Sequence, residues 1–363
     1  FNRLNNLILY IMTSKERFLT ALLGGKPDRI PITGHLFSQK LLQEELGYTT
    51  VLYDGKAQAQ LAAKLGIDGL WIPINGFCGI EETPHQPGET YKDEWGVTYC
   101  KNGWPIIAQI DTPVKSREDW ENYKMPEANT DYRLRIFKDA KAANTQELAI
   151  VLGILGPFTM VSWYLMDFST LAITMYTDPE MAHEMNEAVL KWTLEVIQLA
   201  AEEGGVDCVQ ISDDWGSTDS LLLSPDDFRT FFIPYLKRMV EGIKALGIPV
   251  IMHNDGRIWD VLDDLVDCGI NALHPVERAA GMDLKIVKER YKGKLTPIGN
   301  VNNKVTMASS NPEDVKEEVL SCIRDAADDG GYIITTDHSF HDLIPTANVK
   351  CLIETVHEYG RYL

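Results

Sequence analysis

The sequence lacks the features of several protein classes. Its 363 residues contain 34 lysines and arginines against 53 aspartates and glutamates, which gives a net charge of −19. This acidic excess argues against nucleic-acid binding, because phosphate contacts require a basic surface, and against attachment to anionic lipid. No apolar run approaches the roughly 18 residues that a membrane-spanning helix needs. With 45% hydrophobic residues, the composition predicts a soluble globular protein.

The six cysteines form no Cys-x-x-Cys pair. Scattered cysteines are typical of the reducing cytosol rather than of disulfide-stabilised domains, so we expect a cytoplasmic protein without a thiolate metal cage. The first residues lack the basic n-region and the cleavage site of a signal peptide. We interpret residues 1–11 as an upstream extension or a cloning remnant and residues 12–363 as a single domain, since no low-complexity linker divides them.

Short β-branched apolar runs alternate with segments of helical periodicity from residue 148 onward, and two similar runs precede them. This alternation is typical of parallel strands joined by crossover helices. Eight strands in a chain of this length predict an α/β fold of the (β/α)8 barrel (TIM barrel) type. The predicted strands are 30–34, 69–73, 148–155, 206–211, 249–253, 272–275, 295–299 and 332–336.

Residues 77–112 interrupt this alternation. They are rich in glycine, proline, threonine and aromatic residues and show no helical periodicity. Long loops that follow barrel strands often carry function, but a purely structural excursion fits the composition equally well. We predict an inserted hairpin over the mouth of the barrel.

Polar side chains gather where the predicted strands end. In a (β/α)8 barrel the chemistry takes place at the face where the C-terminal ends of the strands meet. Five of the eight histidines fall at these ends: His35, His253, His274, His338 and His341. A random distribution would not favour one face so strongly, so we expect the active site there.

A candidate metal site follows from His253, Asp255, Glu277 and His338, which would converge from three strands. Histidine with carboxylates is a ligand set compatible with Zn²⁺, and three protein ligands with one open position are typical of catalytic zinc. The same residues would also suit acid–base catalysis or hydrogen bonding to a substrate. Both a zinc site and a metal-free site therefore fit these residues.

Asp213 and Asp214 follow the fourth predicted strand. Two adjacent carboxylates in a dry site cannot both be ionised without cost. We therefore predict that at least one of them acts in acid–base chemistry or binds the substrate, with His253 as a further catalytic candidate. A capping or ion-pairing role is the alternative, although Ser224 is the better-placed helix cap.

Aromatic residues also fall at or just beyond the strand ends. Each alone would be expected in the core, but several together can form an apolar pocket for a ring-shaped ligand or a cofactor. The predicted substrate-binding residues are His35, Phe37, Trp71, Trp163, Tyr164, Trp215, Asn300 and Phe340.

Short motifs spread along the chain from Thr13 resemble those of one enzyme family. They lie at residues 14–18, 26–31, 93–96, 224–229, 253–256, 271–277, 299–301 and 345–362. Through them the chain resembles the uroporphyrinogen decarboxylase superfamily and, within it, the corrinoid-dependent methyltransferases. This resemblance implies a (β/α)8 barrel, in agreement with the strand count.

Two departures from the family pattern bear on function. The decarboxylases carry an Arg-Gln-Ala-Gly-Arg-type segment whose arginines bind substrate carboxylates, whereas residues 34–40 read Gly-His-Leu-Phe-Ser-Gln-Lys. The thiol-directed methyltransferases bind zinc through His-x-Cys and a later Cys, and the matching positions here are His253, Asp255 and His338. Zinc with nitrogen and oxygen ligands is a harder Lewis acid, which suits an ether oxygen better than a thiol.

The resemblance and these departures together imply a cobalamin-dependent methyltransferase of the O-demethylase type. We predict that a small methoxylated compound, aromatic in character, gives its methyl group to the Co(I) corrinoid of a partner protein. The metal, or an acid such as Asp213 or Asp214, would activate the ether oxygen. The chain has no Asp-x-His-x-x-Gly motif to bind a corrinoid itself. The alternatives are a methylcorrinoid:thiol methyltransferase, a uroporphyrinogen decarboxylase, and a catalytically silent scaffold barrel in a methyl-transfer complex. The sequence is compatible with a homo-oligomer as well as with a monomer.

Overall fold

The computed structural model describes residues 11–51, 53–77, 88–101 and 107–362. Seven of its strands form one parallel sheet in the order β1-β2-β6-β7-β8-β9-β10. The strands are β1 Thr33–Gly34, β2 Gly69–Pro73, β3 Thr90–Lys92, β4 Thr98–Lys101, β5 Ile107–Asp111, β6 Ala149–Leu155, β7 Cys208–Ser212, β8 Val250–His253, β9 Ala272–His274 and β10 Thr296–Pro297.

The sheet closes on itself through residues 333–336. Ile333 pairs in parallel with Ile298 beside β10, and Ile334 pairs in parallel with Ile32 beside β1. This segment therefore takes the eighth strand position and completes a (β/α)8 barrel. The other seven predicted strands overlap the seven strands of the parallel sheet, so the predicted fold class is confirmed.

Helices pack around the outside of this sheet. Ser224 and Asn311 cap two of them, each followed by a proline in the first helical position, as their sequences predict. Among the described residues, no helix combines the length and hydrophobicity required to cross a membrane. The helices are α1 Ser14–Leu22, α2 Gln39–Leu46, α3 Gly55–Leu65, α4 Arg117–Asn122, α5 Arg135–Ala143, α6 Pro157–Thr159 with its π-helical continuation Met160–Leu165, α7 Phe168–Thr177, α8 Pro179–Glu203, α9 Pro225–Phe231, α10 Ile233–Ala245, α11 Leu262–Asp267, α12 Leu284–Arg290, α13 Pro312–Ala326 and α14 Thr346–Tyr359, and a 3₁₀ turn lies at Arg278–Ala280.

The central strands are buried on both faces. Every residue of β2, β6 and β7 is inaccessible or nearly so, because helices cover one face and the barrel interior fills the other. Strands in this position read as near-continuous apolar runs rather than as alternating ones. That is why they are recognisable in the sequence.

An ion-pair network ties α1 to the N-terminal ends of the first two strands. The buried guanidinium of Arg17 lies 2.6 Å (Nε to Oδ1) from Asp28 and 2.7 Å (Nη1 to Oδ1) from Asp68. Arg29 contacts the other oxygen of Asp68 at 2.7 Å. Although burial opposes the shift, hydrogen bonding and charge from Arg17 hold the pKa of Asp28 below its ordinary value.

The inserted element between β2 and β6 is a three-stranded antiparallel sheet of β3, β4 and β5. The turn between β3 and β4 places Trp95 against Tyr164, with ring centroids 5.5 Å apart, just beyond the C-terminal end of β6. Arg133 is buried and binds Glu94 of the same turn, Nη2 to Oε2, at 2.7 Å. The insertion predicted at residues 77–112 is confirmed, with a third strand beyond the predicted hairpin.

Parts of this insertion, residues 78–87 and 102–106, lie outside the described residues, as do residues 1–10. The predicted extension at residues 1–11 and the single domain at residues 12–363 therefore stay predictions.

Candidate functional site

The C-terminal ends of β7 and β8 bring Asp214, His253 and Asp255 together. The Nε2 atom of His253 lies 3.6 Å from Oδ1 of Asp214 and 3.7 Å from Oδ1 of Asp255. One ligand atom from each residue lies within 4.8 Å of the other two. We call these three residues the mouth triad. One imidazole nitrogen and two carboxylate oxygens are donors that suit zinc.

The surroundings of Asp255 indicate that the triad binds a further group. Its Oδ1 atom is buried and has no hydrogen-bond partner among the described residues. Burial and the negative charge of Asp214 raise the pKa of Asp255 to about 8. A buried carboxylate oxygen requires a hydrogen-bond donor, a proton or a cation as its partner, and the described residues offer this oxygen no donor. The residues present therefore fit a divalent metal ion.

The two other predicted metal ligands differ in their surroundings. His338 lies beside the triad, with Nε2 3.5 Å from Oδ2 of Asp255 and its side chain half exposed. Glu277 accepts the backbone N–H of Gly256 at 2.7 Å and lies 3.5 Å from Nζ of Lys304. Glu277 thus supports the turn that follows Asp255. Metal ligation by His338 and Glu277 stays a prediction.

The adjacent aspartates have different surroundings. Asp213 is fully buried, and its carboxylate accepts hydrogen bonds from the backbone N–H of Thr159 at 2.6 Å and from Nε1 of Trp215 at 2.8 Å. Burial raises its pKa to about 7. Asp213 therefore binds backbone N–H groups at the start of α6, the helix that follows β6. Asp214 is the member of the pair that lies beside His253, with half of its side chain exposed.

Three histidines lie close together at the same end of the barrel. His253 and His274 are register partners on β8 and β9, and their Nδ1 atoms are 2.6 Å apart. The ring of His35 lies 5.7 Å from that of His253 and 5.1 Å from that of His274. Burial, followed by repulsion from neighbouring histidines, lowers the pKa of His35 and of His274 well below the ordinary value. Both rings are therefore neutral near pH 7.

An aromatic cluster adjoins these histidines. Trp71 lies 4.4 Å from the ring of His35, measured between centroids, and 5.7 Å from the ring of Phe37. Tyr53 and Phe77 extend the cluster at 5.9 and 5.5 Å from Trp71. We call Phe37, Tyr53, Trp71 and Phe77 the aromatic wall. Of the predicted substrate-binding residues, the structure brings His35, Phe37 and Trp71 together here.

The remaining predicted substrate-binding residues are mostly engaged in packing. Trp215 stacks on Phe228 at a centroid distance of 4.5 Å, and Nδ2 of Asn300 donates to the carbonyl of Val276 at 2.9 Å. Trp163 is 43% exposed. The buried members of this set are Tyr164, Trp215, Asn300 and Phe340. Their role in substrate binding stays a prediction.

Comparison with known proteins identifies the family. The chain matches the family model of uroporphyrinogen decarboxylase (URO-D) over residues 96–359. It belongs to this family. The uroporphyrinogen decarboxylases of Chlorobaculum tepidum and an Anaeromyxobacter species are 27% and 28% identical to it over 69% and 71% of this chain, and the match covers 72% of each relative. The resemblance inferred from the motifs is thereby confirmed.

The fold is also shared with a solved structure, a methyltransferase from Methanosarcina mazei. The two superpose with a TM-score of 0.71 over 96% of this chain and 99% of that chain, at 20% sequence identity. At this identity the likeness concerns the fold.

Within the family barrel, three polar residues near the triad received no role from the sequence. Gln210 contacts His35, Nε2 to Nε2, at 3.1 Å, and Asp337 accepts the backbone N–H of Asn303 at 2.7 Å. His274 is the third. Gln210 could have been found as the polar residue inside the apolar run of β7, and Asp337 as a residue that ends a strand. His274 is one of the five histidines expected at the strand ends, but the sequence gives it no specific role.

The charges around Asp255 make this mouth negative. Besides Asp214, the carboxylates of Glu277 and Asp337 raise the pKa of Asp255, and His338 opposes them. Residues 34–40 add His35 and Phe37 to the site rather than an arginine pair. The arrangement therefore suits a cation and a neutral ring better than a substrate with many carboxylates.

Proposed function

We propose that this protein transfers the methyl group of a small methoxylated aromatic compound to the Co(I) corrinoid of a partner protein. The observation that carries the proposal is the mouth triad of one imidazole and two carboxylates, connected through His35 to an aromatic wall. Nitrogen and oxygen donors favour an oxygen-centred leaving group over a thiol. The methyltransferase from Methanosarcina mazei has a similar barrel, which is in line with this class of reaction.

Asp214, His253 and Asp255 are the residues that would hold a zinc ion, with His338 adjacent. Bound there, zinc would supply a Lewis acid for the ether oxygen. Asp255 can also hold a proton of its own, because burial and the charge of Asp214 raise its pKa to about 8. A protonated Asp255 would donate this proton to the leaving oxygen as the carbon–oxygen bond breaks, which offsets the negative charge that develops there.

The aromatic wall accounts for the ring of the proposed substrate. Phe37, Trp71 and Phe77 meet edge to face with centroids 5.5 to 5.7 Å apart, and all three are buried or half-buried. Such surfaces bind planar apolar groups and exclude water from them. The wall therefore favours a methoxy-arene over an aliphatic ether.

Decarboxylation of uroporphyrinogen is the second candidate, because the curated relatives carry that name. A porphyrinogen with many carboxylates needs cationic partners, most effectively arginines. The carboxylates of Asp214, Asp255, Glu277 and Asp337 surround the mouth instead. The charge at the mouth therefore disfavours this candidate.

The proposal is tested by incubating the protein with a reduced corrinoid protein and a panel of methoxy-arenes. We expect Co(I) to convert to methyl-Co(III), followed by absorbance, with at least one methoxy-arene. If methyl-Co(III) gives its methyl group to a thiol and no methoxy-arene methylates Co(I), the proposed direction of methyl transfer is wrong. Release of CO₂ from uroporphyrinogen would favour the decarboxylase, and inactivity in all three assays would favour a scaffold.

A further inference from the structure

His274 contacts the mouth triad, although the proposed chemistry gives it no part. It is the register partner of His253 on adjacent parallel strands, so both side chains project to the same side of the sheet. The two Nδ1 atoms are 2.6 Å apart. The backbone fixes both residues, because Asp213 donates its N–H to the carbonyl of His253 and Asn254 donates its N–H to the carbonyl of His274, each at 2.9 Å.

The distance between the two rings limits where their hydrogen atoms lie. Two nitrogen atoms 2.6 Å apart have room for only one hydrogen between them. An imidazole that binds a metal through Nε2 carries its own hydrogen on Nδ1. Nε2 of His253 is the atom that faces Asp214 and Asp255, at 3.6 and 3.7 Å. Metal ligation by His253 therefore requires His274 to accept the hydrogen bond at Nδ1.

The other nitrogen of His274 makes no contact within the described residues that would impose a different tautomer. When Nδ1 of His274 accepts, its hydrogen lies on Nε2, which is buried and has no hydrogen-bond partner among the described residues. No other contact therefore competes to reverse the ring or its tautomer. A ring that served only to fill space would be replaceable by another ring of similar volume.

We infer that His274 is a positioning residue for the metal ligand: its Nδ1 accepts the hydrogen bond from Nδ1 of His253 and so directs Nε2 of His253 at Asp214 and Asp255. This inference rests on the metal site of the proposed function. The more usual partner of a ligating histidine is a carboxylate or a backbone carbonyl. A neutral imidazole in that position adds no further negative charge to a mouth that already holds four carboxylates.

The test is the zinc affinity of purified variants, measured by competition with a chromophoric chelator. His274→Phe keeps a ring but removes the acceptor, so we expect it to weaken zinc binding by about 10- to 100-fold. His274→Asn places an amide oxygen near the position of Nδ1 and is expected to restore most of the affinity. Thr335→Val is the matched control, because it alters a buried barrel residue whose hydroxyl has no hydrogen-bond partner in the described part of the chain.

A second measurement is independent of any variant. In ¹⁵N-histidine spectra of the zinc-loaded protein, we expect the hydrogen of His253 on Nδ1. A hydrogen on Nδ1 of His274, or unchanged zinc affinity in both His274 variants while His253→Ala loses zinc, would overturn the inference and leave the metal site standing. A hydrogen on Nε2 of His253 would overturn both, because that atom could then not bind zinc. Unchanged zinc affinity in His253→Ala would instead overturn the metal site itself, and the inference with it.

Discussion

Asp213 and Asp214 allow the same substitution to be made at two neighbouring positions with opposite expected results. Asp214 is half exposed, and its Oδ1 accepts only the backbone N–H of Asp255 at 3.2 Å among the hydrogen bonds of the described residues. We expect Asp214→Asn to lower the rate of methyl transfer by about 10²–10⁴. Its free energy of unfolding should stay close to that of the wild type, because an exposed amide is well solvated.

Asp213→Asn should act on stability instead. Oδ2 of Asp213 accepts from Trp215 at 2.8 Å and from Phe158 at 3.3 Å, and Oδ1 accepts from Thr159 at 2.6 Å. An asparagine has one oxygen, so in either orientation its NH₂ group faces at least one N–H donor. Leaving one buried donor unsatisfied costs about 1–3 kcal/mol.

Urea unfolding and the corrinoid methylation assay, applied to both variants, measure these effects. The reasoning is refuted if Asp214→Asn keeps wild-type activity, or if it loses as much stability as Asp213→Asn. A folded Asp213→Asn protein whose rate falls as far as that of Asp214→Asn would return Asp213 to a catalytic role.

Three further predictions concern the metal, the α1 network and the insertion. His253→Ala should lower zinc content and activity together, measured by elemental analysis, and unchanged zinc would contradict the site. Asp28 has a folded-state pKa below its unfolded value of about 3.9, so its stabilising effect is complete above that value and is lost as pH falls through the folded pKa. Asp28→Asn should therefore reduce the loss of stability at acid pH, measured by urea unfolding. An unchanged loss would exclude the contribution of the contact with Arg17. Arg133→Met should lower the free energy of unfolding by about 3 kcal/mol, since it leaves Glu94 without its buried partner. Adding Glu94→Gln should recover part of this stability, and no recovery would attribute the loss to packing.

The barrel can be predicted from the sequence because the same burial pattern repeats in each strand. Strands such as Ala149–Leu155 are buried on both faces, and burial on both faces produces an apolar run. The capped starts of α9 and α13 mark helices for an equally local reason, since a side chain satisfies the first backbone N–H groups. The resemblance of the short motifs to the family independently predicts the same fold.

The site is less readable, because it depends on which way individual side chains turn. Asp213 and Asp214 are adjacent in sequence, yet one binds the helical segment 55 residues earlier and the other lies beside His253. Glu277 ends a strand like the triad residues, but a backbone N–H from the neighbouring loop engages it. The contact between His253 and His274 depends on strand register. Such contacts arise between distant segments and leave no local pattern in the sequence.

The most direct test of the proposed function follows the methyl carbon itself. A methoxy-arene labelled with ¹³C in its methyl group is incubated with the protein and a reduced corrinoid protein, and the label is located by NMR. Methyl transfer predicts that the label moves to cobalt with formation of one equivalent of the phenol, and that Asp214→Asn slows this transfer. A label that stays on oxygen across the whole panel of methoxy-arenes, with the zinc-loaded protein and an active corrinoid partner, would contradict it.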